Sequence, residues 1–179
     1  MLTLVIGGAR SGKSRFAQTL AARSARVVYL ATARAEDAEM EGRIARHRGN
    51  RPAHWHTVEE PLAIGEAVER HAAADGLILL DCLTLWLSNF CWEHRAKDED
   101  CVQQMALQEL GRVTDVGRRA DLVLVTNELG NGMVPETHLG RFFRDLQGWV
   151  NQDAAQAADW VYHMVAGIAV PIKRPEANR

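Results

Sequence analysis

The stretch GGARSGKS sets Gly7, Gly12, Lys13 and Ser14 at the G-x-x-x-x-G-K-[ST] spacing. Glycines let successive backbone N–H groups turn toward phosphate oxygens. A lysine at this place supplies a point charge for the β- and γ-phosphates, and the serine hydroxyl serves Mg2+. This is the pattern of a nucleoside triphosphate site, with an apolar run before it and a helical pattern after it. Such a site also needs an acid at the end of a buried strand to hold the metal, usually through water. Asp81 closes the apolar run LILLD and fits that need, with Glu128, just beyond LVLVT, as its competitor. A helix-capping role for Asp81 stays open as well, because DCLT opens a helix. The tetrapeptide TNEL lacks the lysine and aspartate of a GTPase base-reading signature, which argues against a regulatory GTPase.

A second concentration of chemistry is RIARHRGNRPAHWH, residues 43–56, with three histidines and four arginines. His54 and His56 would share a face on a strand and could bind a metal. No cysteine or H-E-x-x-H accompanies them and Pro52 lies in the same stretch, so they read as exposed loop residues. His47 differs, since Met40, Ile44 and His47 fall at i, i+4, i+7 near the end of a helical pattern. It is either a core-edge histidine or a nucleophile. A neutral imidazole can attack an α-phosphate and carry a nucleotidyl group as a phosphoramidate. Arg43, Arg46, Arg48 and Arg51 could hold the phosphates and favour the neutral ring, whereas the negative end of the helix dipole acts the other way. The stretch alone leaves both readings standing.

The elements that must position these residues alternate between strand and helix. Strands are expected at Leu2–Ile6, Arg26–Thr32, Leu77–Asp81 and Asp121–Thr126, with a final pair at Trp160–Val165 and Ile168–Ile172 split by Gly167. Helices are expected from Lys13 to about Arg23, Glu36–Arg48, Leu62–Ala74, Thr84–His94 and Val102–Arg119, and from Pro135 through Ala157. Acids early and arginines late in Glu36–Arg48 match the helix macrodipole. Continuous apolar runs such as LILLD suit strands buried on both faces of a parallel sheet. The expectation is a single α/β domain over residues 1–179, a mostly parallel central sheet flanked by helices.

Bulk properties narrow the function classes. The 179 residues carry a net charge of −2, with 47% hydrophobic and 25% charged residues, and offer no strong basic excess for nucleic acid. Three cysteines without C-x-x-C spacing argue against a disulfide framework or zinc site and suit a reducing cytosol. The Leu77–Leu87 region is interrupted by Asp81 and is too short for a membrane span.

With these pieces placed, the chain resembles the bifunctional adenosylcobinamide kinase/adenosylcobinamide-phosphate guanylyltransferase family of cobalamin biosynthesis. The resemblance runs from about Leu2 to Lys173. It is carried by GGARSGKS, YLATA, RIARHR, RPAHWHTVE, ILLDCLTLWLSN, LVTNELGNGMVPE, GRFFRDLQGWVNQ and MVAGIAVPIK. The P-loop is shared by many families, whereas LVTNELGNGMVPE and the RI-x-x-H-R…R-P-x-x-W run are far more specific. The resemblance implies a RecA-like P-loop fold, a homotrimer, and two reactions, and the cysteine content places the protein in the cytoplasm. A nucleoside triphosphate, ATP or GTP, phosphorylates the aminopropanol hydroxyl of adenosylcobinamide. GMP then passes from GTP to that phosphate through a guanylylated histidine, which aligns with His47. Implied nucleotide contacts are Gly7, Gly8, Ala9, Arg10, Ser11, Gly12, Lys13, Ser14, Ala31, Thr32, Ala33, Arg48, Gly49, Asn50, Arg51, Glu59 and Asp81. Lys13 is catalytic alongside His47, and Mg2+ falls to Ser14 and Asp81, partly through water. The competing classes are a plain small-molecule kinase with a structural His47, and a non-catalytic or motor-type nucleotide-binding subunit. The latter is disfavoured by the missing basic surface and the missing second domain.

Overall fold

The computed structural model describes residues 1–35, 41–42, 48–49, 51–73 and 76–175. Within them, seven strands form one sheet: β1 (Leu2–Gly7), β2 (Val27–Ala31), β3 (His56–Glu59), β4 (Leu77–Asp81), β5 (Asp121–Asn127), β6 (Trp160–Val165) and β7 (Ile168–Lys173). Their order is β3-β2-β4-β5-β1-β6-β7. All pairings are parallel except β6 with β7. The helices are α1 (Lys13–Ala21), α2 (Ile64–His71), α3 (Leu83–Glu93), α4 (Glu99–Gly117) and α5 (His138–Ala157).

Strand alternation sends successive side chains to opposite faces, and both faces are apolar. Leu4, Leu30, Leu80 and Leu124 pack beneath α2–α5, against residues such as Val68, Trp86, Leu110 and Val150. Val5, Tyr29, Leu79, Val123 and Val125 face the other way, toward Ala17 and Ala21 of α1 and toward Trp55. Burial on both faces is why LILLD and LVLV read as unbroken apolar runs.

Several element boundaries differ from expectation, each for a local reason. The strand β3 was expected as loop. Three of its four residues are exposed at the sheet edge, so it carries no apolar run. Glu99 and Asp100, ahead of the expected start at Val102, already belong to α4. Asp98 Oδ1 accepts from the Cys101 N–H at 2.8 Å, and Glu99 and Asp100 occupy the first turn, where acids favour the helix dipole. The last helix starts at His138 and not at Pro135, because Thr137 takes the cap and accepts from the Gly140 N–H at 3.1 Å. Likewise, α2 begins at Ile64, after the Glu60 carboxylate accepts from the N–H groups of Leu62 and Ala63. The expected helix over 36–48 lies mainly outside the described residues, which include helical backbone at Glu41, Gly42, Arg48 and Gly49.

Candidate active site

The β1 strand delivers the phosphate loop at the C-terminal edge of the sheet, and α1 leaves from it. Gly12 has φ +94°, a left-handed conformation, and a Cβ there would stand 3.3 Å from the Gly167 Cα. Gly7 is constrained by space: a Cβ would meet the Met164 carbonyl at 2.6 Å. The β6–β7 turn thus supports the loop from outside, and the Gly167 N–H donates to the Ser11 carbonyl at 3.0 Å. Two residues at positive φ, Ala166 and Gly167, make that turn tight.

Lys13 is buried, and its Nζ donates to the Gly8 carbonyl at 2.6 Å. The Ser11 hydroxyl is buried with no hydrogen-bond partner among the described residues. Ser14 is half-buried in the first turn of α1, while Gly8, Ala9 and Arg10 face outward. An ammonium folded against the loop, an orphaned hydroxyl and the α1 N-terminus together suit a phosphate chain.

Asp81 ends β4, with β5 between it and β1, so it lies about 10 Å sideways from Gly7 by strand spacing. The helix-cap reading fails. Cys82 occupies the cap of α3, its Sγ accepting from the Leu85 N–H, while Asp81 Oδ2 accepts from the Tyr29 hydroxyl at 2.7 Å. Burial, reinforced by the Asp81 charge, raises the Tyr29 pKa, so the phenol remains a donor. Among the described residues Asp81 Oδ1 has no hydrogen-bond partner. The competitor Glu128 donates its N–H to the Gly7 carbonyl at 3.0 Å, and its own carboxylate accepts from the Gly130 N–H at 2.6 Å.

Register joins further residues to this edge, with Asp81 opposite Ala31 and Ala31 opposite Glu59. Thr32 is fully buried. Its hydroxyl donates to the Cys82 carbonyl at 2.7 Å and accepts from the Cys82 N–H at 2.9 Å, which ties β2 to β4. Its place is beside the site, with its side chain already engaged. Ala33 is half-buried just beyond.

A cavity of about 390 Å³ opens next to Glu59, lined by Arg48, Arg51, Pro52, Ala53, Trp55, Thr57 and Glu59. Arg51 lies over the Tyr29 ring, its Cζ 3.5 Å from the ring centroid, and Trp55 stacks on the same ring at 6.4 Å. The Nε and Nη1 of Arg51 are buried without hydrogen-bond partners among the described residues. Arg48 pairs with Glu59, both side chains being more than half exposed, so that pair holds little stability. Gly49 is exposed, and His47 and Asn50 lie outside the described residues.

Two residues that join the arginine cavity to Asp81, Tyr29 and Trp55, were not singled out by spacing. Their only signal was an aromatic in YLATA and another in RPAHWHTVE. The same holds for the polar cluster behind the loop. There Thr126, Gln147 and Asn151 bond one another, and Asn151 Nδ2 donates to the Asn127 carbonyl at 3.0 Å.

His56, expected in a loop, begins β3, with His54 just before it. Both are exposed and line a separate cavity with Arg26, Arg70 and His71. That cavity lies at the start of β2 and β3, away from the phosphate edge. Among the described residues no group of three or more His, Cys, Asp or Glu side chains is placed to hold a metal. Burial pushes the Cys82 thiol up to about 12 and that of Cys91 to about 11, so neither is a nucleophile at neutral pH. No described helix is long and apolar enough to cross a membrane.

The family model described as cobinamide kinase / cobinamide phosphate guanyltransferase matches residues 3–172. A bifunctional adenosylcobalamin biosynthesis protein of Pseudomonas aeruginosa is 45% identical over 174 residues, covering 97% of this chain and 98% of the relative. One of Escherichia coli K12 is 42% identical over 181 residues, covering 97% and 100%. Among solved structures, a prototypical ATPase from the type III secretion system of pathogenic bacteria superposes with a TM-score of 0.57 at 10% identity. The match covers 95% of this chain and 56% of that one. That likeness concerns fold alone, and the fold is RecA-like α/β.

Proposed function

The chain belongs to the cobinamide kinase / cobinamide phosphate guanyltransferase family, and from that premise we propose that it carries out both reactions within one catalytic domain spanning residues 1–179. In the first, the hydroxyl oxygen of the adenosylcobinamide aminopropanol arm attacks the γ-phosphorus of ATP or GTP. The bridging P–O bond breaks, the diphosphate leaves and the hydroxyl proton is released. Lys13 moves from the Gly8 carbonyl onto the phosphate chain as that charge shifts. Ser14 and Asp81 would hold Mg2+, partly through water, and the ion would neutralise the β- and γ-phosphates. Asp81 Oδ1, without a hydrogen-bond partner among the described residues, supports that fit.

In the second reaction, an imidazole nitrogen of His47 attacks the α-phosphorus of GTP and pyrophosphate leaves. A phosphate oxygen of adenosylcobinamide phosphate then attacks the same phosphorus, the P–N bond breaks, and adenosylcobinamide-GDP is released. The carrying observation is the arginine cavity. Among the described residues Arg51 has two buried donors without partners, and the cavity adjoins Asp81 through Tyr29, which supports a second anion-handling pocket at the phosphate edge. Arg48, Gly49, Asn50, Arg51 and Glu59 would line the GTP side, with Ala31, Thr32 and Ala33 forming the strand end beneath.

Incubation with α-labelled GTP and Mg2+ should leave an acid-labile, alkali-stable label on the parent and none on His47→Ala. Equal labelling of both would remove His47 from the mechanism. A parent that never labels yet phosphorylates cobinamide would leave the plain-kinase reading. We further place the protein in the cytoplasm as a homotrimer, in keeping with the free thiols of Cys82, Cys91 and Cys101. Sedimentation velocity tests the assembly.

A further inference from the structure

Alternation along β4 puts Leu79 and Asp81 on one face of the sheet, and register sets Tyr29 of β2 opposite Leu79. Tyr29 therefore shares that face, one diagonal step from Asp81. Its hydroxyl completes the step by donating to Asp81 Oδ2 at 2.7 Å. The main chain at Asp81 is held from the same strand. The Thr32 N–H donates to the Asp81 carbonyl at 3.3 Å, and the Thr32 hydroxyl bonds both the N–H and the carbonyl of Cys82.

The phenol itself has little freedom. Tyr29 is 1% exposed and belongs to the apolar cluster that includes Val5, Ala17 and Leu79. Arg51 covers its ring and Trp55 stacks on it. An aspartate, by contrast, has a broad terminal torsion and does not fix its own carboxylate. One charge-assisted bond from a pinned phenol supplies that restraint. It ties Oδ2, while Oδ1 has no hydrogen-bond partner among the described residues. Burying a hydroxyl costs free energy unless it is bonded, and a phenylalanine would fill the same space for packing alone. Here the hydroxyl is spent on the carboxylate that closes β4.

We propose that Tyr29 is a positioning residue for the metal acid, its hydroxyl setting the Asp81 carboxylate and thereby the affinity for the divalent cation that accompanies the nucleotide. The inference rests on the reading of Asp81 as a holder of Mg2+. Tyr29 touches neither nucleotide nor acceptor in this role and acts through Asp81. Its ring, which Arg51 covers, serves the neighbouring cavity independently of the hydroxyl.

The test is Tyr29→Phe, which removes the hydroxyl and keeps the ring. Mn2+ binding is measured by electron paramagnetic resonance on the full chain with a non-hydrolysable ATP analogue. The variant should bind Mn2+ about ten-fold more weakly than the parent. Raised Mg2+ should restore both phosphoryl transfer and labelling by α-labelled GTP, since the ring beneath Arg51 is retained. In an Asp81→Asn background the same change should weaken Mn2+ no further. A packing role alone would lower the urea midpoint and leave Mn2+ affinity at the parent value, and that result overturns the proposal. So does a loss of labelling that raised Mg2+ fails to restore, or a further loss of Mn2+ affinity in the Asp81→Asn background. If Asp81→Asn binds Mn2+ as tightly as the parent, the metal reading of Asp81 falls as well. If Asp81→Asn weakens Mn2+ and Tyr29→Phe does not, only the role of Tyr29 falls.

Discussion

The two regions proposed to handle anions are made of opposite materials. The phosphate loop is a backbone device: contiguous residues 7–14, wedged against Met164 and Gly167, with one lysine folded onto it. The cavity beside Glu59 is a side-chain device, made from Arg48, Arg51 and Trp55 and carried on the Tyr29 ring. In the first the backbone is already set, with Lys13 resting on the Gly8 carbonyl. Among the described residues the second leaves two buried Arg51 donors without partners, a cost that a bound phosphate or base would remove. On the proposed function, a rigid backbone suits the triphosphate, whereas rearrangeable side chains suit a transfer in which the nucleotide must be gripped and then released.

Substitutions can break this contrast. The largest effect should come from Lys13→Ala, which should lower both phosphoryl transfer and labelling by α-labelled GTP about a thousand-fold. Labelling at the parent rate would mean that the arginine cavity binds its own triphosphate without the loop. Next, Gly7→Ala should cost about 1–3 kcal/mol of stability in urea titrations and weaken ATP binding, because its Cβ meets backbone. Gly8→Ala, with open space around it, should stay within about 0.5 kcal/mol of the parent. Equal costs at the two positions would refute the wedged-loop account.

Arg51→Met sharpens the other side of the comparison. It removes unsatisfied donors while keeping an apolar cover on Tyr29. Stability should therefore lie within about 1 kcal/mol of the parent, or above it, while labelling falls at least about ten-fold. A loss above about 2 kcal/mol would make this arginine a structural support.

The smallest effect concerns His71, remote from both regions. Burial lowers its pKa from 6.5, and the charges of His56 and Arg70 add to that. A histidine so depressed binds fewer protons folded than unfolded, so its contribution to stability is full above 6.5 and is lost as pH falls from there toward its lower folded value. His71→Gln should flatten the pH dependence of the urea midpoint between pH 7 and 5, leaving labelling at pH 7.5 unchanged. An unaltered slope would assign the acid sensitivity elsewhere.

The degree to which each feature was legible follows its range along the chain. The phosphate loop could be read directly, since its φ requirement at Gly12 and the lysine after it are local. The buried strands were equally plain, as burial on both faces leaves an unbroken apolar run. By contrast, β3 went unread because an exposed four-residue edge strand leaves no period. Asp81 was placed at a strand end correctly, but its capping role was eliminated only when Cys82 proved to hold the cap. Thr32 sat in a recognisable stretch, yet its hydroxyl is spent on Cys82, fifty residues away.

By itself the sequence determined the α/β alternation, the phosphate loop and the acid at the end of β4, since these rest on periodicity and on neighbours a few residues apart. Family membership was legible too, through motifs spread from residue 7 to residue 173. Only the tertiary structure decided that β5 separates Asp81 from Gly7, that Tyr29 holds Asp81 across 52 residues, and that Arg51 rests on that same ring. Those contacts depend on strand order and register, and register is settled by how two apolar faces pack together.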